Sequence, residues 1–265
     1  MELISKVSKG SKMDQIYIPK QRTNFEVGSC VLIKPLEAEK RVERPYFYNV
    51  PELEPTKLII IKEIFDVLEN FVKDYDNIII TGSFLDKGFN FNDIDVILII
   101  DKKIYEGQIK NYIENKLKIK IHLILLNNKN LINGLETDPL YQMMLSRCIS
   151  KKRFIFKIKQ KINYKILDLH LLKSKPLIIN FDYLTGKEKY YLIKNIIAIS
   201  LFLKHKKIND EEVDREIKKL FNLENIDIIK NNMLEKKKFL EKFKKTYKNL
   251  FNEIMKGIKN GTKQE

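Results

Sequence analysis

The stretch from Ile78 to Ile100, IIITGSFLDKGFNFNDIDVILII, constrains this chain more than any other. Two apolar runs, Ile78 to Thr81 and Asp93 to Ile100, flank a loop that opens with Gly82-Ser83. Short β-branched runs bounded by Gly and Asn predict two strands of a buried sheet. Side chains alternate faces along a strand, so Asp93 and Asp95 are expected on one face while Ile94 and Val96 enter the core. Two carboxylates at i and i+2 suit a hard divalent cation, which takes oxygen ligands and leaves room for substrate phosphates. The Gly-Ser turn lets the backbone approach closely and offers N–H groups and a hydroxyl to a phosphate.

Gly82-Ser83, followed ten residues after the serine by Asp93-Ile94-Asp95, resembles the GS…DxD signature of the DNA polymerase β nucleotidyltransferase superfamily in its minimal form. The resemblance spans about residues 55–145. It implies a mixed sheet with flanking helices, an NTP whose triphosphate lies on Gly82 and Ser83, and Mg²⁺ held by Asp93 and Asp95, two ions in an active enzyme. The reaction implied is in-line transfer of a nucleoside monophosphate to a hydroxyl, with pyrophosphate leaving. The family has a third carboxylate on a later strand, and in the matching run KIKIHLILL, residues 118–126, His122 stands there. A histidine can ligate a metal or act as a base near neutral pH, or sit as a satisfied polar residue on a strand face. Lys87, in the loop after Gly-Ser, is either a triphosphate contact or a solvated side chain. Asp101, Glu136 and Asp138 match nothing in the motif.

The formal charge of +15 is unevenly placed. Residues 1–150 carry 21 Lys and Arg against 21 Asp and Glu, whereas residues 151–265 carry 29 against 14. An AT-rich codon bias would load lysine everywhere, yet only the second half is unbalanced. A basic segment beside a phosphate-handling site favours a polyanionic acceptor such as RNA, with a solvated lysine-rich surface as the alternative. No apolar run approaches the roughly 20 residues that span a bilayer, so no membrane partner is expected. The N-terminus lacks the apolar segment and small-residue cleavage site of a secretory signal. Cys30 and Cys148 lie far apart with no metal-ligand spacing, which points to free thiols and a cytoplasmic location.

Along the chain, residues 1–50 read as a small β module with runs at Ile16–Pro19 and Cys30–Ile33. The order IYIPKQR…FEVGSCVLI resembles the swapped-hairpin domain of transition-state regulators and antitoxins, which implies DNA binding as an intertwined dimer. A plain accessory β-barrel is the other reading. In both, Lys6, Lys9, Lys12, Lys20 and Arg22 can touch nucleic acid. Residues 37–56 read as a proline-rich linker that packs through Tyr46, Phe47 and Tyr48. Apolar residues at helical spacing predict a helix from Pro55 to about Lys73, and another over 105–117. Asp138-Pro139 marks a helix start, with the helix running to about Cys148. The basic cluster Lys151-Lys152-Arg153 then leads into Phe154-Ile155-Phe156, a short strand or docking segment.

From Leu167 the chain reads as helical. Thr185 with Glu188 forms a capping box ahead of a long apolar helix to Lys204, followed by helices at Asp210–Phe221 and Leu234–Ile258. The Arg-x4–6-His signature of the nuclease-like partners of minimal nucleotidyltransferases is absent before His170 and His205. Tyr190, Tyr191 and Tyr247 are available for base stacking or for the core.

The chain is therefore expected to be α+β, with a small β module (1–50), a mixed-sheet nucleotidyltransferase-like domain (51–150) and a basic helical domain (151–265). Its expected function is Mg²⁺-dependent nucleotidyl transfer to an RNA end, a protein or a small molecule. The alternative is a catalytically faded nucleotidyltransferase serving as a nucleic-acid-binding or antitoxin-type regulator. Self-association stays open in both.

Overall fold

The computed structural model describes residues 5, 7–20, 25–28, 31, 44–102, 104–156 and 158–261. The chain divides into two compact units, Met1–Glu43 and Arg44–Glu265. In the first, β1 (Val7–Ser8) and β2 (Gln15–Ile16) form a two-stranded antiparallel hairpin with Val7 opposite Ile16. Ser5 Oγ donates to the carbonyl of Tyr17 at 2.9 Å and ties the hairpin's ends. The run expected at Cys30–Ile33 falls mostly outside the described residues, as do Lys6 and Arg22.

The second unit is α+β. Its five-stranded mixed sheet has the order β3 (Tyr46–Tyr48), β7 (Cys148–Ser150), β4 (Asn77–Thr81), β5 (Ile94–Ile99), β6 (Ile121–Leu126). Only β5 and β6 are parallel; the other neighbours are antiparallel. The isoleucine run of β4 is buried on both faces, as a central strand with helices on both sides requires. On one face Ile78, Ile80, Val96 and Leu98 pack against α1 (Pro55–Phe71) and α2 (Glu106–Leu117). On the other, Ile79, Ile97 and Ile99 meet α3 (Asn128–Thr137) and α4 (Pro139–Leu145). Burying each such side chain contributes roughly 1.5–3 kcal/mol, so alternation along these strands fixes which side chains meet which helical layer.

Two local expectations change and a third is narrowed. The helix expected from Asp138 to Cys148 stops at Leu145, because Cys148–Ser150 is drawn between β3 and β4 as a fully buried strand. The proline-rich stretch contributes an edge strand, Tyr46–Tyr48, which pairs with that strand. Of the two readings of Phe154–Phe156, the structure forms the docking segment, with the Phe154 ring 4.5 Å from Tyr48.

The remainder is a helical layer around α7 (Gly186–Leu203), packed by α5 (Tyr164–Lys173), α8 (Asp210–Phe221), α9 (Asp227–Lys230) and α10 (Lys236–Gly261), with the short α6 (Pro176–Ile179) against α10. The Thr185–Glu188 capping box at the head of α7 is formed in both directions. His170 on α5 meets Asp138, the N-cap of α4, at 2.9 Å and fastens this layer to the sheet-side helices. No described helix is long and apolar enough to cross a membrane.

Candidate active site

Antiparallel pairing sets Thr81 on β4 opposite Asp95 on β5, and parallel pairing sets Asp95 beside His122 on β6. Paired residues in adjacent strands point to the same face. Gly82 follows Thr81 directly, so the Gly-Ser turn, Asp95 and His122 meet at one end of the sheet, and Asp93 lies just ahead of β5, which starts at Ile94 and not at Asp93 as expected. Asp95 Oδ1 lies 2.8 Å from His122 Nδ1. Asp95 Oδ2 packs on Gly82 so closely that a Cβ there would sit 2.0 Å from it. Gly82 has φ 83° and ψ −164°, a region essentially restricted to glycine. The turn continues into a single 3₁₀ turn, Ser83–Leu85, with Ser83 exposed and Phe84 and Leu85 buried.

Asp95 is the more enclosed partner, its side chain 29% exposed against 59% for His122. Burial raises its carboxyl above the ordinary carboxylate value; the bond from His122 opposes this and the charge of Asp93 adds to it. Two carboxylates, Asp93 and Asp95, are thus the candidate donors, with His122 bonded to the second of them. Asp93 and Asp95 fit Mg²⁺, which is commonly held by one or two carboxylates with waters and substrate phosphates completing its shell. A cage of three carboxylates is not present, and among the described residues no three His, Cys, Asp or Glu side chains gather as a metal-holding group. Lys87 is 86% exposed and has Glu52 as its ion-pair partner, at 4.0 Å, instead of either aspartate.

A clamp on the loop after Gly-Ser escaped the sequence reading. Lys57, in the first turn of α1, is fully buried; its Nζ donates to the Asp86 carbonyl at 2.5 Å and pairs with Glu54 at 3.0 Å. Glu54 Oε1 in turn accepts from the Gly88 N–H at 2.5 Å. The available signal was that Lys57 falls on the apolar face of the helix, four residues before Ile61 and seven before Ile64. On the far side of the loop, Arg147 bonds Asp86 at 2.6 Å and reaches Asp210 of the helical layer at 3.5 Å, and Lys194 meets Asp210 at 2.5 Å.

The Gly88 N–H, with its own backbone and Lys57 assisting, holds the Glu54 carboxyl down at about 2. A depressed carboxyl stabilises the fold above its ordinary value and loses that contribution as pH falls through the folded one. Glu54→Gln is expected to be less stable than the wild-type chain at neutral pH, with the gap closing as pH drops from about 4.5 toward 2. Urea midpoints over a pH series measure this; a gap unchanged down to about pH 3 would sink the assignment.

Tyr190 is not a stacking platform: its hydroxyl donates to Asp214 at 2.6 Å, and Lys194 and Lys230 lie over its ring. Tyr191 is exposed and Tyr247 packs on the helical core. The C-terminal charge excess takes a definite form on α10. Phe239, Phe243, Leu250 and Ile254 are buried, while Lys237, Lys242, Lys244, Lys245, Lys248 and Lys256 are exposed on the opposite side. At 1.5 Å per residue, this lysine face runs for about 29 Å. Cys148 is a buried free thiol, pushed up to about 12 by burial, and Cys30 lies outside the described residues. Set against known proteins, the chain matches no family model and none of the curated proteins.

Proposed function

We propose that the chain is a Mg²⁺-dependent nucleotidyltransferase that moves a nucleoside monophosphate from an NTP to a hydroxyl of a nucleic-acid acceptor. The observation that carries this reading is the convergence of the glycine-only backbone at Gly82, the Asp93/Asp95 pair and His122 at one end of a helix-flanked mixed sheet. Gly82 and Ser83 take the triphosphate, and Asp93 and Asp95 hold Mg²⁺. The ion supplies charge neutralisation and Lewis acidity at the phosphoryl oxygens. Asp95, bonded to His122 Nδ1, fixes the ring's tautomer and leaves Nε2 to accept the proton of the attacking hydroxyl. The new O–P bond forms in line as the bond to pyrophosphate breaks. The lysine face of α10 favours RNA over a protein or small-molecule acceptor.

The test is Mg²⁺-dependent labelling with each α-³²P NTP in turn, with total RNA and with protein alone. Label that disappears in Asp93→Ala/Asp95→Ala protein is expected, and its position on RNA or protein names the acceptor. The second reading, a faded enzyme that only binds nucleic acid, draws on the imidazole in place of a third carboxylate and the engagement of Asp95 Oδ1 by it. Absence of label from all four NTPs, with nucleic acid still bound, would decide for it.

A further inference from the structure

The row that joins His122, Asp95 and Thr81 continues across the sheet. Ile80 pairs with Ile149, so the next step along the register sets Thr81 opposite Cys148, and Cys148 pairs with Tyr48 on the edge strand. At about 4.8 Å per strand, Tyr48 lies some 14 Å from Asp95, on the same face and at the same end. The end of α4 sits between them: Thr81 Oγ1 donates to the carbonyl of Met144 at 2.6 Å. Beyond α4 an open groove of about 570 Å³ runs from Tyr48 to the loop between α7 and α8.

This groove has an aromatic wall. Tyr48, Phe154 and Phe156 follow one another with ring centroids 4.5 and 5.6 Å apart. The Tyr48 hydroxyl both donates to the Phe154 carbonyl and accepts from its N–H, each at 3.0 Å, which locks the first two rings. Ile155, 72% exposed, stands at the rim with no core to enter. The polar lining is of a different kind from a core's. Gln142 and Gln160 donate their amide N–H to the Leu135 and Phe202 carbonyls, both at 2.7 Å, so each keeps its carbonyl oxygen as an acceptor. Asn209 accepts from Glu212 N at 2.8 Å and keeps its amide N–H₂ as a donor. The opposite lip is cationic: α7 ends in a Schellman turn, with His205 left-handed at φ 51°, that presents Lys206 and Lys207 to solvent.

We propose that this groove binds a single-stranded nucleic-acid segment, with a base stacked on the Tyr48–Phe154–Phe156 wall and phosphates on Lys206 and Lys207. Stacking on aromatic rings beside a cationic lip is how unpaired strands are held without a duplex, and the amide acceptors and donor suit a base edge. A duplex has its bases already stacked and offers the wall nothing. Resting on the transferase reading, the strand is the acceptor, and a few nucleotides carry its 3′ end past α4 to Asp95.

The test is fluorescence anisotropy of a labelled eight-nucleotide oligo(U), without NTP or metal, against full-length protein at several KCl concentrations. A duplex of equal length is the comparator. Lys206→Ala/Lys207→Ala is expected to weaken oligo(U) binding about tenfold and to lower the log–log salt slope by roughly 1.4, at about 0.7 per phosphate. Ile155→Asp, on an exposed side chain that leaves the fold intact, is expected to weaken it at least as much. Phe156→Leu is expected to cost about fivefold or more. Wild-type affinity in the lysine and Ile155 variants, or equal affinity for the duplex, overturns the proposal. So does binding lost only in Lys244→Ala/Lys245→Ala of α10. Asp93→Ala/Asp95→Ala protein is expected to bind oligo(U) as the wild type does. Failed labelling with intact groove binding would therefore sink the reaction and leave the groove.

Discussion

Gly82→Ala is expected to abolish the proposed nucleotide transfer and to destabilise the fold by about 2 kcal/mol or more. Two independent penalties act at one atom. The backbone at φ 83°, ψ −164° is a conformation that a side chain makes costly. The added Cβ would also lie 2.0 Å from Asp95 Oδ2 and 3.0 Å from its Cγ, so the carboxylate must swing away. That movement breaks the 2.8 Å bond to His122 and separates the carboxylate from its place between Gly82 and the ring. Gly88→Ala is the control, because Gly88 also has a positive φ of 78° but open space around its Cβ position. It is expected to lose about 1–2 kcal/mol by urea titration and to keep its labelling activity. Equal activity in the two variants would show that the close packing on Asp95 is not needed.

Lys57→Met is expected to destabilise the chain by about 2–4 kcal/mol and to loosen the Gly-Ser loop. Methionine keeps most of the volume, so the loss reports the ammonium. Without it, Glu54 loses its cation and the Asp86 carbonyl loses its donor, while the space between Phe84 and Phe89, now 5.6 and 5.4 Å from Nζ, stays filled. Glu54 retains some exposure, which moves the expectation toward the lower end of that range. The double variant Glu54→Gln/Lys57→Met is expected to lose less than the sum of the singles, since both act through one loop. Urea midpoints for the four proteins give the coupling; a Lys57→Met variant as stable as wild type would mean that packing alone holds the loop.

How much of this was legible follows from how each element is stabilised. The isoleucine runs of β4 and β5, the apolar face of α1, the Asp138-Pro139 start of α4 and the Thr185–Glu188 box are local signals, and the structure forms all of them. The strand Cys148–Ser150 was hidden because three residues carry no periodicity; it is a strand only because β3 and β4 lie on either side. Tyr46–Tyr48 was likewise read as linker, since an edge strand of that length is made by its partner. Helix α3 went unread: its start is capped by Asn127, but its polar residues dilute the apolar spacing. At the site, alternation predicted that Asp93 and Asp95 share a face, yet the contact between Asp95 and His122 depends on the register between two strands far apart in sequence. Lys57 illustrates the same limit, because a lysine's burial is decided by the loop that folds over it.

Arg147 has a consequence for how the two halves of the second unit breathe. It bridges Asp86, three residues past Ser83, and Asp210, the first residue of α8, where Lys194 also anchors. Opening the Gly-Ser loop therefore takes Asp86 from Arg147 and leaves that guanidinium to the first turn of α8 alone, directly after the groove's cationic lip. The loop and that turn are expected to exchange their amide hydrogens as one cooperative unit instead of two. A ligand that orders the loop is expected to slow exchange in that turn as well, through the guanidinium they share.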